Sequence, residues 1–396
     1  IRDPEMSRGL GDVYKRQQKG LCKLSKNFNM NIVSLFNNKG GVVKTTLAFH
    51  LSCALAEMGK RVLMIDMDPQ CNLTLCCMNQ EALQGIWEPE NDFIDDFHNA
   101  KEKIGEKDFC KLLTKPRSVH FLLKPTEDGI DDLSLLPPLF HISENLELLP
   151  GRITINQYEN RISERWSGLY MGDPLSIRTI VNIRSIAMQY ANENNFDFVI
   201  IDTSPSLGML NKVIISTVDG FLIPALPDMF SLYGIRNIGN SLRQWKKEFD
   251  TFYRLISEEK RSKFPDVFVR FLGYTIYNAK KYEGHPPYDL AIAHQNYVQE
   301  IPSVINQYIS EEVRSHLSEE QVKEPIGGVS VMHTHNTFPS MSQKYHCAIW
   351  QVPSVNGLEE VDRHTIRGNK TKYEETKDKY IEFANSFLDR ISTLKK

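Results

Sequence analysis

The chain has 396 residues, 41% of them apolar and 24% charged, with a formal net charge of −3. These proportions belong to a globular chain long enough for one large domain or two smaller ones, and they exclude a largely disordered protein. No stretch approaches the roughly 20 uninterrupted apolar residues of a membrane-spanning helix and no secretory apolar region opens the sequence, so a cytoplasmic protein is expected.

Residues 1–29 hold seven Lys/Arg (Arg2, Arg8, Lys15, Arg16, Lys19, Lys23, Lys26) against three acids (Asp3, Glu5, Asp12), leaving −7 for the rest. The stretch has neither helical nor strand period and precedes Met30, after which an apolar run begins at once. It is read as a non-native or disordered leader, and the domain is expected to occupy 30–396. So acidic a domain cannot attract nucleic acid through its overall field; any such contact needs a local basic patch.

In chain order, 31–36 reads as a buried strand, 37–44 as a Gly-containing loop and 45–58 as a helix closed by Gly59-Lys60. A second strand, 61–67, ends in Asp68-Pro69. Two consecutive strands joined through a helix are parallel, which predicts an α/β fold: a doubly wound, mostly parallel sheet with helices on both faces. From about 79 to 149, Pro89, Pro116, Pro125, Pro137 and Pro138 interrupt polar and acidic stretches, and the segment reads as an irregular insertion. Beyond it follow a helix at 176–194, a strand at 196–201 ending in Asp202, strands at 220–224 and 271–277, and helices at 232–256 and 373–394. Seven cysteines (Cys22, Cys53, Cys71, Cys76, Cys77, Cys110, Cys347) are odd in number and lack C-x-x-C spacing, which disfavours a disulfide framework, a zinc site or an iron–sulfur cluster. His333-Thr-His335 with His346 and Cys347 lacks a recognisable frame for a metal and is read as structural.

The segment Asn38-Lys-Gly-Gly-Val-Val-Lys-Thr-Thr46 lies between strand and helix, where a phosphate loop works: successive backbone N–H groups wrap phosphates, a lysine reaches the β and γ oxygens, and a hydroxyl binds Mg²⁺. Lys44 and Thr45 occupy the last two places. Lys39-Gly-Gly-Val-x-Lys-Thr-Thr46 resembles the deviant Walker A motif of the ParA/MinD ATPases (SIMIBI class), most nearly that of the ParA partition ATPases. Asp66-Met-Asp-Pro-Gln70 and Asp202-Thr-Ser-Pro-Ser-Leu-Gly208 resemble the family's D-x-D-P-Q and Walker B segments, and 145–151 and 224–235 are also similar.

The resemblance implies a P-loop NTPase that hydrolyses ATP with Mg²⁺. Asn38, Gly40, Gly41, Val42, Val43, Lys44, Thr45 and Thr46 would hold the nucleotide. Lys39 would reach across a dimer to the partner's nucleotide, and Asp68 would position the attacking water. Thr45, Asp66 and Asp202 would serve the metal. Asn278, at the end of a strand, would recognise adenine or cap a turn. A homodimer, nonspecific DNA and a small ParB-like activator are the implied partners, with no membrane contact; DNA binding would place the protein at the nucleoid. Candidate DNA contacts are Arg243, Lys246 and Lys247, or Arg363, Arg367, Lys370 and Lys372, and solvated helix faces explain those charges equally well.

One position departs from the family. A glycine precedes the phosphate-loop lysine there, and this chain has Val43, whose β-branched side chain is poorly suited to a loop that demands unusual backbone angles and close approach to phosphate. Two alternatives therefore stand beside the partition-type switch: a non-hydrolysing scaffold, and a MinD-like membrane-positioning ATPase using the 373–394 helix, which Glu374, Glu375, Asp378, Glu382 and Asp389 make acidic for an anionic surface.

Overall fold

The strands form because short runs of β-branched and aromatic residues between turns can bury both faces at once. In the computed structural model, which describes residues 30–41 and 43–395, every residue of β1 (Asn31–Leu35), β2 (Val62–Asp66) and β5 (Phe198–Asp202) is buried. The leader at 1–29 and Val42 lie outside the described residues. With β3 (Phe140–Ser143), β4 (Leu146–Leu149), β6 (Gly220–Ala225) and β7 (Arg270–Ile276) they make a seven-stranded sheet in the order β3-β4-β2-β5-β1-β6-β7. Only the β3–β4 pair is antiparallel; the remaining neighbours run parallel, as the doubly wound fold requires.

Alternate strand residues feed two cores. Ile32, Leu63, Val199 and Ile201 face one, built with α3 (Asn156–Arg165), α4 (Pro174–Asn194), α5 (Met209–Thr217), α6 (Met229–Leu255) and α7 (Ile292–Tyr308). Val33, Leu35, Met64 and Ile200 face the other, beneath α1 (Lys44–Glu57), α2 (Asn72–Cys77), α8 (Phe338–Lys344) and α9 (Lys370–Ser392). The period-two alternation of a strand thus divides the apolar residues between the layers.

The segment 79–149 differs from the irregular expectation: helices occupy 80–87, 91–95, 97–112 and 119–128 before β3 and β4 begin. The prolines do not prevent this: Pro89 sits in the first turn of a 3₁₀ helix, where its missing N–H costs nothing, Pro125 is accommodated inside the 119–128 helix, and Pro116, Pro137 and Pro138 lie outside the helices. Asn79, Asp96 and Ser118 cap the longer helices, accepting from the N–H groups of Ala82, Asn99 and Phe121. A buried polar knot fixes this region to the sheet. Glu90, fully buried, accepts from Ser118 N at 2.7 Å, Ser118 Oγ at 2.6 Å and Arg152 Nη1 at 3.1 Å.

α9 closes the other layer. Its Tyr380, Phe383, Ala384 and Phe387 are buried, Phe387 lies against Phe198 of β5, and Tyr380 stacks on His50 of α1 with centroids 5.0 Å apart. The apolar face of the C-terminal helix is therefore consumed by packing. Among the described residues no helix is long and apolar enough to cross a membrane.

Candidate functional site

β1 lies inside the sheet between β5 and β6, where the winding reverses, and the loop leaving its carboxyl end opens into a crevice of the kind that binds ligands in open α/β sheets. Asn37 starts the loop by donating Nδ2 to Pro224 O at 2.7 Å and accepting Lys39 N at 3.0 Å. Gly41 has φ +74°, within glycine's range. Val43 has φ +55° and ψ +36°, the left-handed region that β-branched residues avoid, and α1 starts at the next residue.

The loop, the start of α1, the segment from the end of β2 through α2, the loop after β5 and α8 border a cavity of about 280 Å³ lined by Gly40, Gly41, Val43, Lys44, Thr45, Thr46, Asp68, Gln70, Asn72, Cys76, Pro205 and Gln343. The N-terminus of α1 points its unpaired N–H groups at this space, an anion-binding arrangement. Thr45 Oγ1 donates to Asp202 Oδ2 at 2.7 Å, and Asp202 Oδ1 is buried without a protein partner. Burial, and then the charge of Asp66, raise the Asp202 carboxyl to about 7. Burial also lowers Lys44, against the opposing pull of Asp202 and Asp68. Asp202 and Asp68 both act on this one ammonium and Asp66 adds its charge to Asp202, so a divalent cation would relieve repulsion there. The orphaned Asp202 oxygen beside the Thr45 hydroxyl is the donor set that hard Mg²⁺ takes.

The expected residues divide into those the fold brings together and those it does not. Gly40, Gly41, Val43, Lys44, Thr45, Thr46 and Asp68 line the cavity, and Asp202 stands directly behind Thr45. Asp66 does not face it. Its Oδ2 accepts Thr74 N at 2.8 Å and Thr74 Oγ1 at 2.7 Å, its Oδ1 accepts Asp68 N at 3.1 Å, and Gly151 packs so closely that a Cβ would stand 3.0 Å from its Cγ. Asp66 braces the segment that presents Asp68, with burial raising its carboxyl to about 6.

Lys39 turns outward: its Nζ is 2.5 Å from Asp228 Oδ2 and lies over the Phe230 ring, while Asp228 caps α6 through Ser231 N at 2.8 Å. Asn38 faces α6 rather than the cavity, its buried Oδ1 3.1 Å from where a Cβ on Gly234 would stand. Asn278 is exposed with φ +60° at the end of β7, outside the cavity wall, as a turn former would be. Gln70, Asn72, Cys76, Pro205 and Gln343 also line the wall and were not among the residues expected there. Pro205 lay in a motif already singled out; Gln343 arrives from α8 with no local signal.

Known proteins resemble this chain in sequence and in fold. A family model described as "AAA domain" matches residues 30–254. The sporulation initiation inhibitor protein Soj of Bacillus subtilis is 26% identical over 221 residues, covering 56% of this chain and 68% of Soj. An uncharacterized protein of Methanocaldococcus jannaschii is 28% identical over 220 residues, 55% of this chain and 67% of its own length. The Mycobacterium tuberculosis relative Rv1708, 28% identical over 206 residues, is matched over 52% of this chain and only about half of its own length, 49%. Among solved structures, the ATP complex of a Cyanothece McdA variant superposes with TM-score 0.54 at 14% identity, covering 90% of this chain and 96% of that one. The ParA of pNOB8, solved also on nonspecific DNA, gives 0.52 for both structures at 17% and 15% identity, covering 92% of this chain and 99% of that one each time. At those identities the structural likeness establishes the fold.

Proposed function

The chain belongs to the ParA-like P-loop ATPases, and from that premise we propose that it is an ATP-dependent dimerisation switch that hydrolyses ATP to ADP and serves DNA partition or cargo positioning in the cytoplasm. One observation carries the reading: the loop, Lys44, Thr45 and Asp68 line a single cavity at the carboxyl edge of the sheet, with Asp202 from a third segment bonded to Thr45 directly behind it. In this reading the N–H groups of 40–46 cradle the phosphates, with Val42 and Val43 among them, and Lys44 Nζ meets the β and γ oxygens. Thr45 Oγ1 and Asp202 would hold Mg²⁺, which when bound neutralises phosphate charge. Asp68, at the cavity wall, orients the attacking water.

Lys39 serves the partner subunit's nucleotide only after leaving Asp228. That exchange costs little because the pair is partly exposed, with 22% and 33% of the side chains accessible, so its net strength is small. DNA contact is assigned to Arg243, Lys246 and Lys247, which with Arg254 rim a hollow on α6. Lys246 is already paired with Asp250 and Glu312, which leaves Lys247 and Arg254 as the better phosphate ligands. A ParB-like activator is the matching protein partner. The MinD-like alternative loses its anchor, since the apolar face of α9 is packed inside.

A second reading, a scaffold that keeps the fold without hydrolysis, is favoured by the left-handed Val43 alone. Sedimentation with Mg²⁺ and a nonhydrolysable ATP analogue tests the proposal: a nucleotide-dependent dimer is expected for this chain or for its Val43→Gly variant. If neither binds nucleotide, the switch reading is wrong.

A further inference from the structure

The loop between β5 and α5, residues 203–208, begins directly after Asp202 and carries Pro205 into the cavity wall. Thr203 Oγ1 ties its first residue to β1 by donating to Leu35 O at 3.1 Å. Beyond that point the loop is gripped from two sides by residues outside the cavity. Asn211, on the first turn of α5 and with no exposed surface, donates Nδ2 to the carbonyls of Ser204 and Ser206, at 2.8 Å each. Both serine hydroxyls lie 3.2 Å from the same nitrogen, and they are 3.1 Å from each other. Asn211 Oδ1, by contrast, is buried with no partner. A side-chain amide that leaves its acceptor unsatisfied is held in place for its donor.

The second grip comes from α3. Gly208 opens α5 without offering a side-chain cap, and Glu159 Oε1 takes that role by accepting Leu210 N at 3.2 Å. The approach requires glycine at 208, since a Cβ there would stand 2.2 Å from the same oxygen. Ser206 Oγ adds a bond from Gly208 N at 3.3 Å. A helix start that needed only capping would be satisfied by one acceptor; here the carbonyls of the preceding loop are also turned toward α5, which turns the Leu207 N–H of the same peptide away from it.

We infer that Asn211 and Glu159 are positioning residues: they set the loop that carries Pro205 at the place where the terminal phosphate of a nucleoside triphosphate would lie, and they link that loop to α3. The inference rests on the ATP reading above. It predicts that the two residues govern discrimination between triphosphate and diphosphate and leave general nucleotide binding alone, because the loop amides and Lys44 that hold the inner phosphates are anchored separately through Asn37 and α1.

The experiment titrates AMPPNP and ADP, each with Mg²⁺, into the full chain and into Asn211→Ala, Glu159→Ala and Glu159→Gln, all made in both the Val43 and the Val43→Gly backgrounds. AMPPNP affinity is expected to fall about tenfold or more in the two alanine variants while ADP affinity stays within about threefold, and Glu159→Gln, which keeps an acceptor oxygen, is expected to restore AMPPNP binding. Equal losses for both nucleotides, or no loss for either, overturn the sensing role. Hydrogen exchange over 203–212 supplies a second readout without nucleotide: the Leu210 amide is expected to exchange faster in Glu159→Ala and not in Glu159→Gln, and unchanged exchange overturns the clamp itself. If neither background binds either nucleotide, the ATP reading fails, and the exchange result still confirms or overturns the clamp.

Discussion

Replacing Val43 by glycine is the most informative single change in this chain. At φ +55° a valine pays about 1–2 kcal/mol for left-handed backbone that glycine adopts freely. Against that gain stand roughly 0.5–1 kcal/mol of unfolded-chain entropy for the added glycine and the loss of a half-buried side chain that packs on the core beneath α1. The net effect on stability is therefore small, within about 1 kcal/mol of zero. Nucleotide binding is where the two residues part. Val43 also lines the cavity, and a bulky residue beside the phosphates, if it costs what overpacking does, lowers binding by about 1–3 kcal/mol, or roughly 5- to 150-fold in affinity. Calorimetric titration of AMPPNP with Mg²⁺ should show Val43→Gly binding tighter than the parent by a factor in that range. Val43→Ala separates the causes, since it removes the bulk and keeps a Cβ at positive φ: recovery by alanine assigns the defect to the isopropyl group, and recovery by glycine alone assigns it to the backbone. An affinity for Val43→Gly within twofold of the parent would refute the reasoning.

Three further outcomes follow from the packing. His50 is fully buried as a neutral ring, with Nδ1 donating to Thr46 O and Nε2 accepting Ile349 N, and burial lowers it to about 3. Its unfolded counterpart takes a proton near 6.5, so stability is complete above that pH and is lost as pH falls toward 3, by about 2 kcal/mol at pH 5; urea unfolding at pH 7 and 5 should show a loss smaller by that amount in His50→Gln. His335 and His316, each lowered to about 4 by burial, act in the same direction and leave a residual slope in that variant. Arg152→Met strands the fully buried Glu90 with its Arg117 neighbour 3.9 Å away and should cost about 3–5 kcal/mol in denaturant unfolding; a loss below 1 kcal/mol would show that the knot is dispensable. Gly239→Ala drives a Cβ to 2.4 Å from Tyr308 O, where α6 crosses the end of α7, and a thermal melt should register about 1–3 kcal/mol of destabilisation.

What the sequence determined by itself was local. A strand, a glycine-bearing loop and a helix that follow one another without interruption can only place Lys44 and Thr45 at a helix N-terminus, and parallel strands place Asp68 and Asp202 at one edge of the sheet. The strain at Val43 was legible for the same reason, because backbone angles in a tight loop depend on immediate neighbours. The helices at 80–87, 97–112 and 119–128 were not read from the sequence, because the prolines between them outweighed the capping side chains of Asn79, Asp96 and Ser118 that the structure shows.

Only the tertiary structure decided which acid meets the cavity. Asp66 and Asp68 lie two residues apart on the same strand end, and nothing between them tells that Thr74 and Gly151 close over the first while the second stays at the wall. Distance along the chain hid the rest. Asp228, which holds Lys39, lies 189 residues from it; Gln343 reaches the wall from α8; and Glu159 reaches α5 from another helix. Such contacts form because layers pack on both faces of the sheet, and no periodicity in a single segment records which remote side chain that packing will deliver.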